Sequence, residues 1–525
     1  MNLRYAGRAA LASGILAAGA LGSDGIGNLS LLSDTGNPTL GAPIRLALSG
    51  PGGAIYSLSM GLPGGAILPG VGPVDVDLAF FAVVANGPLP SNGDLTFLYF
   101  VPLQPLLVGQ EFVFQAAAVD PSSPSGVGVS NPVRVEIAPV ATAPFAENPD
   151  LLAWVPFFNG MGPAVGDVDG DGDLDVYLPT LGASLMDASA QNVLLLNGGS
   201  GVFEDATSTN LPSLLEPSYC AVLADLDGDF DLDVAVGNGI DSFLSQQPTP
   251  SRYYLNDGTG HFSLAGLLPG GPDLVSSIAA GDVDGDGDVD LVLGRNGNGL
   301  GAPERLLVND GTGMFADGTS GPGTSLPAVT DATTRVVLAD VDKDGDPDIV
   351  SANWDASGAR VYKNAGAGSF TLLSGAFSSA ASTWWTDMAL ADLNGDGDLD
   401  AAGITRLPGT GADRYVRVFS NNGAGSFSYV TNGVTGVPVT EDLIDVALGD
   451  FDGDGDADVV AATLSTGTDW LLQNDGTGHF APSPGGIAAP AYTRHPVPFD
   501  ADGDNLLDLI YSANAPNGAV RLLVR

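Results

Sequence analysis

Cysteine is nearly absent. Cys220 is the only one in 525 residues, which excludes an intramolecular disulfide and leaves the staples of the fold to be found elsewhere. Positive charge is scarce as well: Lys plus Arg number 17 against 62 Asp plus Glu, a formal net charge of −45. That sign disfavours nucleic acid and anionic membrane surfaces as partners. Of three histidines, His261 and His479 sit in glycine-rich turns, so only His495 is placed for general acid–base work. Long apolar runs are missing too. The one at about residues 9–21 follows Arg4 and Arg8, is short for a bilayer, and has the layout of a signal peptide. Residues 1–22 are therefore expected to be a leader, and the protein to be secreted or held at the cell surface without inserting into the membrane.

Aspartate, in contrast, is abundant and ordered. The pattern Asp-x-Asp-x-Asp-Gly-Asp-x-Asp recurs seven times, starting at Asp167, Asp225, Asp282, Asp340, Asp392, Asp450 and Asp500. A period of 50 to 58 residues marks a repeat architecture. Carboxylates about 4 Å apart repel by roughly 4 kcal/mol at an effective dielectric near 20, so each cluster needs a cation. Side chains at positions 1, 3, 5 and 9 with the carbonyl at position 7 make an all-oxygen shell, which suits Ca²⁺ better than Mg²⁺.

The metal-site residues read from the pattern are Asp167, Asp169, Asp171, Asp173 and Asp175; Asp225, Asp227, Asp229, Asp231 and Asp233; and Asp282, Asp284, Asp286, Asp288 and Asp290. The fourth and fifth copies give Asp340, Asp342, Asp344, Asp346 and Asp348, then Asp392, Asn394, Asp396, Asp398 and Asp400. The last two give Asp450, Asp452, Asp454, Asp456 and Asp458, then Asp500, Asp502, Asp504 and Asp508. Up to seven Ca²⁺ ions follow. Position 6 needs a left-handed backbone, which glycine supplies; Phe230 and Asn505 replace it in the second and seventh loops, which are expected to bind most weakly. An EF-hand is excluded, because no twelfth residue is acidic and each loop runs into a β-branched segment such as Asp290-Leu291-Val292-Leu293.

A second motif alternates with the first: Leu255-Asn256-Asp257-Gly258-Thr259-Gly260-His261-Phe262 and its relatives at Asn197, Asn309, Asn364, Asn421 and Asn474. Such turns between apolar runs signal tight hairpins. Four antiparallel strands per repeat, about seven times over, give an all-β seven-bladed propeller across residues 143–525. The chain stops at Arg525, one strand short. Residues near 143–148 resemble the fourth strands elsewhere, with Phe145 matching Phe203, Phe262 and Phe315, and are expected to complete the last blade.

These runs resemble the FG-GAP/VCBS repeat family, which also builds integrin α-subunit propellers. The resemblance implies an extracellular, calcium-binding propeller used in adhesion and in recognition of glycan or protein ligands. Residues 30–138 lack the repeat and read as short strands between Gly/Pro-rich turns, the rhythm of a β-sandwich.

Two ligand surfaces are candidates. On the propeller face opposite the acidic loops lie Trp354, Trp384 and Trp385, with Arg406, Asp413, Arg414, Tyr492 and Arg494. Five residues before each loop Asp lie Gly162, Cys220, Ser277, Arg335, Asp387, Asp445 and His495, one level of the central channel by strand alternation. Non-catalytic recognition of an extracellular glycan or protein is the leading expectation. A polysaccharide lyase or hydrolase using the channel mouth, and a purely structural matrix or envelope protein, are the alternatives.

Overall fold

In this computed structural model the chain forms two compact units, Met1–Thr142 together with Asp452–Gly455, and Ala143–Phe451 with Asp456–Arg525. The structure describes strands alone up to residue 160. Beyond it, every residue is described except 161, 182–188, 200, 242–245, 322, 356, 379–382, 407–413, 438–442, 464–468, 484–486, 488–492 and 514–519. The leader expected over residues 1–22 therefore lies outside the described residues, as do Asp413, Tyr492 and Phe145. Among the described residues, no helix is long and apolar enough to cross a membrane.

The region read as a sandwich holds two antiparallel sheets. Ser30–Ser33, Pro43–Ser49 and Asp94–Phe100 form one; Ile55–Leu68, Gly72–Pro88, Glu111–Val119, Val127–Val129 and Val133–Glu136 form the other.

The second unit is a seven-bladed β-propeller. Blade 3 shows the plan: Val275–Gly281, Asp290–Arg295, Arg305–Asn309 and Phe315–Asp317 pair antiparallel in that order. In blade 7, Thr493–Phe499, Asp508–Ala513 and Arg521–Val524 supply three strands. Its fourth is Ala146–Glu147, from the beginning of the unit, which pairs with Val524 and Leu523. A two-residue strand suffices to cover an edge that would otherwise stand open. Blade 5 gains a fifth strand, Phe377–Ser378, parallel to its outer strand Phe427–Tyr429.

Second strands are buried, along their whole length in Asp233–Asn238 and Asp348–Asn353 and up to the last residue in Asp290–Arg295 and Asp400–Arg406, because neighbouring blades cover both sheet faces. Tyr177 and Leu194 of blade 1 pack with Val234, Tyr254 and Phe262 of blade 2. Val176 and Phe203 of blade 1 pack with Phe499 and Ile510 of blade 7, so apolar contact runs across the closing joint.

Innermost strands carry one irregularity that positions the channel. In blades 2 to 6 the register slips by one residue immediately before Cys220, Ser277, Arg335, Asp387 and Asp445. The extruded residue turns toward the next blade: Ser276 Oγ donates to the Thr333 carbonyl at 2.6 Å, and Thr334 Oγ1 to the Trp385 carbonyl at 3.2 Å. The same bulge in each blade keeps these residues level.

Candidate functional site

Each acidic loop is a backbone device before it is a ligand set. In loop 1, Asp167 Oδ1 accepts from the Gly170 N–H at 2.8 Å and Oδ2 from the Gly172 N–H at 3.0 Å. The same two bonds recur at Asp225, Asp282, Asp392 and Asp500. Turning both N–H groups onto one carboxylate requires positive φ at positions 4 and 6, here 76° and 96°. Phe230 takes φ 74° at position 6 with its side chain 94% exposed, and Asn505 takes 66°. Position 4 imposes the same demand, which the position-6 reading missed; Lys343 meets it at φ 62° in a loop that otherwise keeps every acid.

The carboxylates converge. Asp167, Asp169 and Asp175 each bring an oxygen within 4.8 Å of the others, and so do Asp225, Asp227 and Asp229; Asp282, Asp284 and Asp290; Asp340, Asp342 and Asp344; and Asp450, Asp452 and Asp458. Position-3 oxygens Asp227 Oδ1, Asp284 Oδ1 and Asp342 Oδ1 are buried without a hydrogen-bond partner. Buried, orphaned acceptors beside like charges fit a metal ion. Position 9 is the most constrained. Asp175 Oδ2 accepts from the Val168 N–H at 2.9 Å and Oδ1 from the Asn197 N–H at 2.8 Å. Burial pushes Asp175, Asp233, Asp290, Asp348 and Asp400 up to about 6, and Asp508 to about 7. Position 7 stands apart: Asp173 and Asp288 lie against Gly199 and Gly311 of the adjoining hairpin, consistent with a carbonyl rather than a carboxylate donor there.

The hairpin asparagines have a role that the motif alone did not reveal. Asn256 Nδ2 donates to the Val168 carbonyl at 2.7 Å, at position 2 of the preceding blade's loop. Asn309, Asn364, Asn421 and Asn474 do the same to Leu226, Val283, Val341 and Leu393. Asn197 reaches Ala501 across the closing joint at 2.9 Å. Every loop so reached is tied to the next blade. The chain's only two lysines also lie at loop carboxylates, Lys363 against Asp342 and Lys343 against Asp398 of the next loop.

The channel candidates do come together. Gly162, Cys220, Ser277, Arg335, Asp387, Asp445 and His495 line one cavity of about 430 Å³. Their polar atoms face neighbouring backbones: Ser277 Oγ, Asp387 Oδ2 and Asp445 Oδ2 accept from the N–H groups of Val336, Val446 and His495 at 3.2, 3.0 and 3.1 Å. Arg335 Nε lies 3.7 Å from Asp387 Oδ1. Burial raises Asp387 to about 6, Arg335 opposing and Asp445 reinforcing, while burial lowers His495. Burial also pushes the Cys220 thiol up to about 12, far from a reactive thiolate.

On the opposite face the tryptophans divide. Trp385 is a correction: it is fully buried, packed against Phe377 and Phe419 at 5.5 and 5.2 Å, and cannot touch a ligand. Strand alternation turns its neighbour outward. Trp384 and Trp354 are half-buried and meet edge to face at 5.3 Å. Arg406 lies over both rings and Arg414 over Trp354.

A family model described as FG-GAP-like repeat matches residues 237–293, 340–402, 409–461 and 450–511. FG-GAP-like repeats thus recur four times across residues 237–511. Blade 1 precedes the matched spans, yet it repeats the same loop bonds and asparagine tie. No curated protein matches the chain. Among solved structures, similarity extends to an Agrocybe aegerita protein recognising non-reducing terminal N-acetylglucosamine (21% identity, 61% of this chain and 78% of that one, TM-score 0.42). It extends also to BBS1N in complex with ARL6DN (12%, 73% and 97%, 0.42) and to a GH43_1 enzyme from Xanthomonas citri (10%, 73% and 92%, 0.28). Likenesses this distant say nothing of what the FG-GAP propeller binds.

Proposed function

We propose that this chain is a secreted or cell-surface propeller, stabilised by Ca²⁺ at its acidic loops, that recognises an extracellular glycan or protein ligand without catalysis. The observation that carries the recognition is the aromatic cluster of Trp354 and Trp384, capped by Arg406 and Arg414, on the rim opposite the loops. Partly exposed indoles gathered on one rim offer an apolar surface to a ligand, and flat aromatic faces suit the C–H faces of sugars. Calcium is favoured over magnesium because the donors are all oxygen, numerous and carried on a flexible turn. The channel acids favour a structural task over catalysis, since Asp387 and Asp445 each spend an oxygen on the next blade's backbone. Glycan-array binding of the calcium-loaded protein tests the reading, with Trp384→Ala as control. Binding that Trp384→Ala abolishes without lowering the melting temperature supports it; binding that survives moves the site elsewhere.

A further inference from the structure

Two propeller arginines, Arg406 and Arg417, lie over aromatic rings without a carboxylate in a chain rich in acid, and of the two only Arg406 lies over tryptophans. Acids outnumber bases 62 to 17, and the other propeller cations mostly find carboxylates: Arg252 meets Glu216, Arg305 meets Asp273, Arg360 meets Asp331, and both lysines are paired. The Arg406 guanidinium has no carboxylate or hydrogen-bond partner among the described residues. It is held by ring faces alone, its Cζ 5.3 Å from the Trp384 centroid and 5.8 Å from that of Trp354.

Strand register explains the arrangement. Trp384 pairs directly with Arg406, and Arg406 with Arg414, so the three form one rung across blade 5 at the sheet end away from the acidic loop. Trp354, just past Asn353 at the end of the second strand of blade 4, completes the cluster from the neighbouring blade. Arg414 is already committed, donating to the Leu443 carbonyl at 2.7 Å. Arg406 is not, and cation–π contact leaves its N–H donors available.

We propose that this rung binds a pyranose bearing an anionic substituent, a uronate in the first instance, with the sugar face on Trp384 and the anion on the Arg406 guanidinium. The proposal rests on the reading of this rim as a glycan site and adds its chemical class. A neutral sugar would leave the guanidinium without a counter-charge, and a small inorganic ion would leave the indoles bare; one charged pyranose satisfies both. Guanidinium matches carboxylate with two parallel bonds, and a sulfate ester offers the same acceptors. The propeller's negative field acts against polyanions at long range, but at 0.15 M salt it is screened beyond about 8 Å, so a short-range contact survives.

The test is calorimetric titration in calcium buffer at 0.15 M salt with oligogalacturonate, its neutral galactan counterpart and a sulfated galactan, on wild type, Arg406→Gln and Trp384→Ala. Expected is binding of the uronate at least tenfold tighter than the neutral oligomer, with the preference lost in Arg406→Gln and all binding lost in Trp384→Ala, both variants melting as wild type. Preference for the sulfated oligomer alone, abolished by Arg406→Gln, supports the anionic pyranose and names sulfate as its source. Equal binding of neutral and charged oligomers, unmoved by Arg406→Gln, overturns the anionic class while leaving glycan recognition standing. Binding of none of the three, with an empty glycan array, overturns both.

Discussion

Metal-free and calcium-loaded protein should respond to pH in opposite senses. Six position-9 carboxyls stand well above their ordinary 3.8, five at about 6 and Asp508 at about 7, because each is buried in the blade interior. An acid whose pKa is higher in the fold than in the unfolded chain stabilises the fold while protonated. That contribution is complete below about pH 4 and is lost as pH rises through 6 to 7. Two units correspond to about 3 kcal/mol per group as an upper figure. If screening and relaxation leave a third, the six loops together lose about 6 kcal/mol, or roughly 10 °C of melting temperature in a unit this large. Ca²⁺ binds the ionised form, so bound ions offset the loss and protons compete with them at low pH. Dialysed, metal-free protein should therefore melt lower at pH 7.5 than at pH 5, and addition of Ca²⁺ should invert the order. Scanning calorimetry at the two pH values, with and without Ca²⁺, decides it. A metal-free melting temperature that is flat or rises between pH 5 and 7.5 refutes the reasoning.

Four further outcomes are expected. Phe230→Gly should stabilise by about 1 kcal/mol, because Phe230 is held at φ 74° with its ring in solvent; a thermal melt at fixed Ca²⁺ reads it. Asn309→Ala should cost about 1–3 kcal/mol in denaturant unfolding, leaving the Leu226 carbonyl without its donor, whereas the exposed neighbour Asp310→Ala should stay within about 0.5 kcal/mol. Lys363→Met should tighten calcium binding by one site in isothermal titration while destabilising the metal-free form, since the ammonium now neutralises Asp342. Trp385→Ala should cost about 3–5 kcal/mol as a core cavity, and Trp384→Ala less than about 1, in paired chemical melts.

Most of the architecture was legible because its signals are local. Seven aspartate turns and six asparagine hairpins mark strand ends directly, and their alternation dictates four strands per blade. The site was legible to the extent that it is periodic: the loop acids and the channel level follow from counting. What counting could not supply is contact between repeats. That Asn256 reaches Val168, 88 residues away, is visible only once blades are stacked. The left-handed requirement at position 4 was hidden because glycine fills it in six loops, and only Lys343 exposes it as a demand. Trp384 and Trp385 were read together as ligand candidates, yet strand alternation sends one to the rim and the other to the core. Arg406 became a candidate in its own right only through cross-strand register with Trp384.

One loop departs from its siblings at position 2. Position 2 is occupied by Val168, Leu226, Val283, Val341, Leu393 and Ala501, and in loop 6 by Phe451. Each of the other six carbonyls receives the asparagine amide of the following blade. In blade 7 the outer strand is Ala146–Glu147, and Arg525 stands at the hairpin-asparagine position, its main-chain N–H donating to Asp508 Oδ1 at 2.9 Å as the asparagine N–H groups do in other blades. At the joint between blades 6 and 7, position 2 of the loop carries the largest apolar side chain of the seven. There Phe451 is fully buried among Ala462, Leu509, Tyr511 and Leu523. A large apolar side chain at this joint adds burial worth about 1.5–3 kcal/mol. Packing thus carries a larger share at this joint, while the closing joint between blades 7 and 1 keeps both its apolar contact and the Asn197 tie to Ala501.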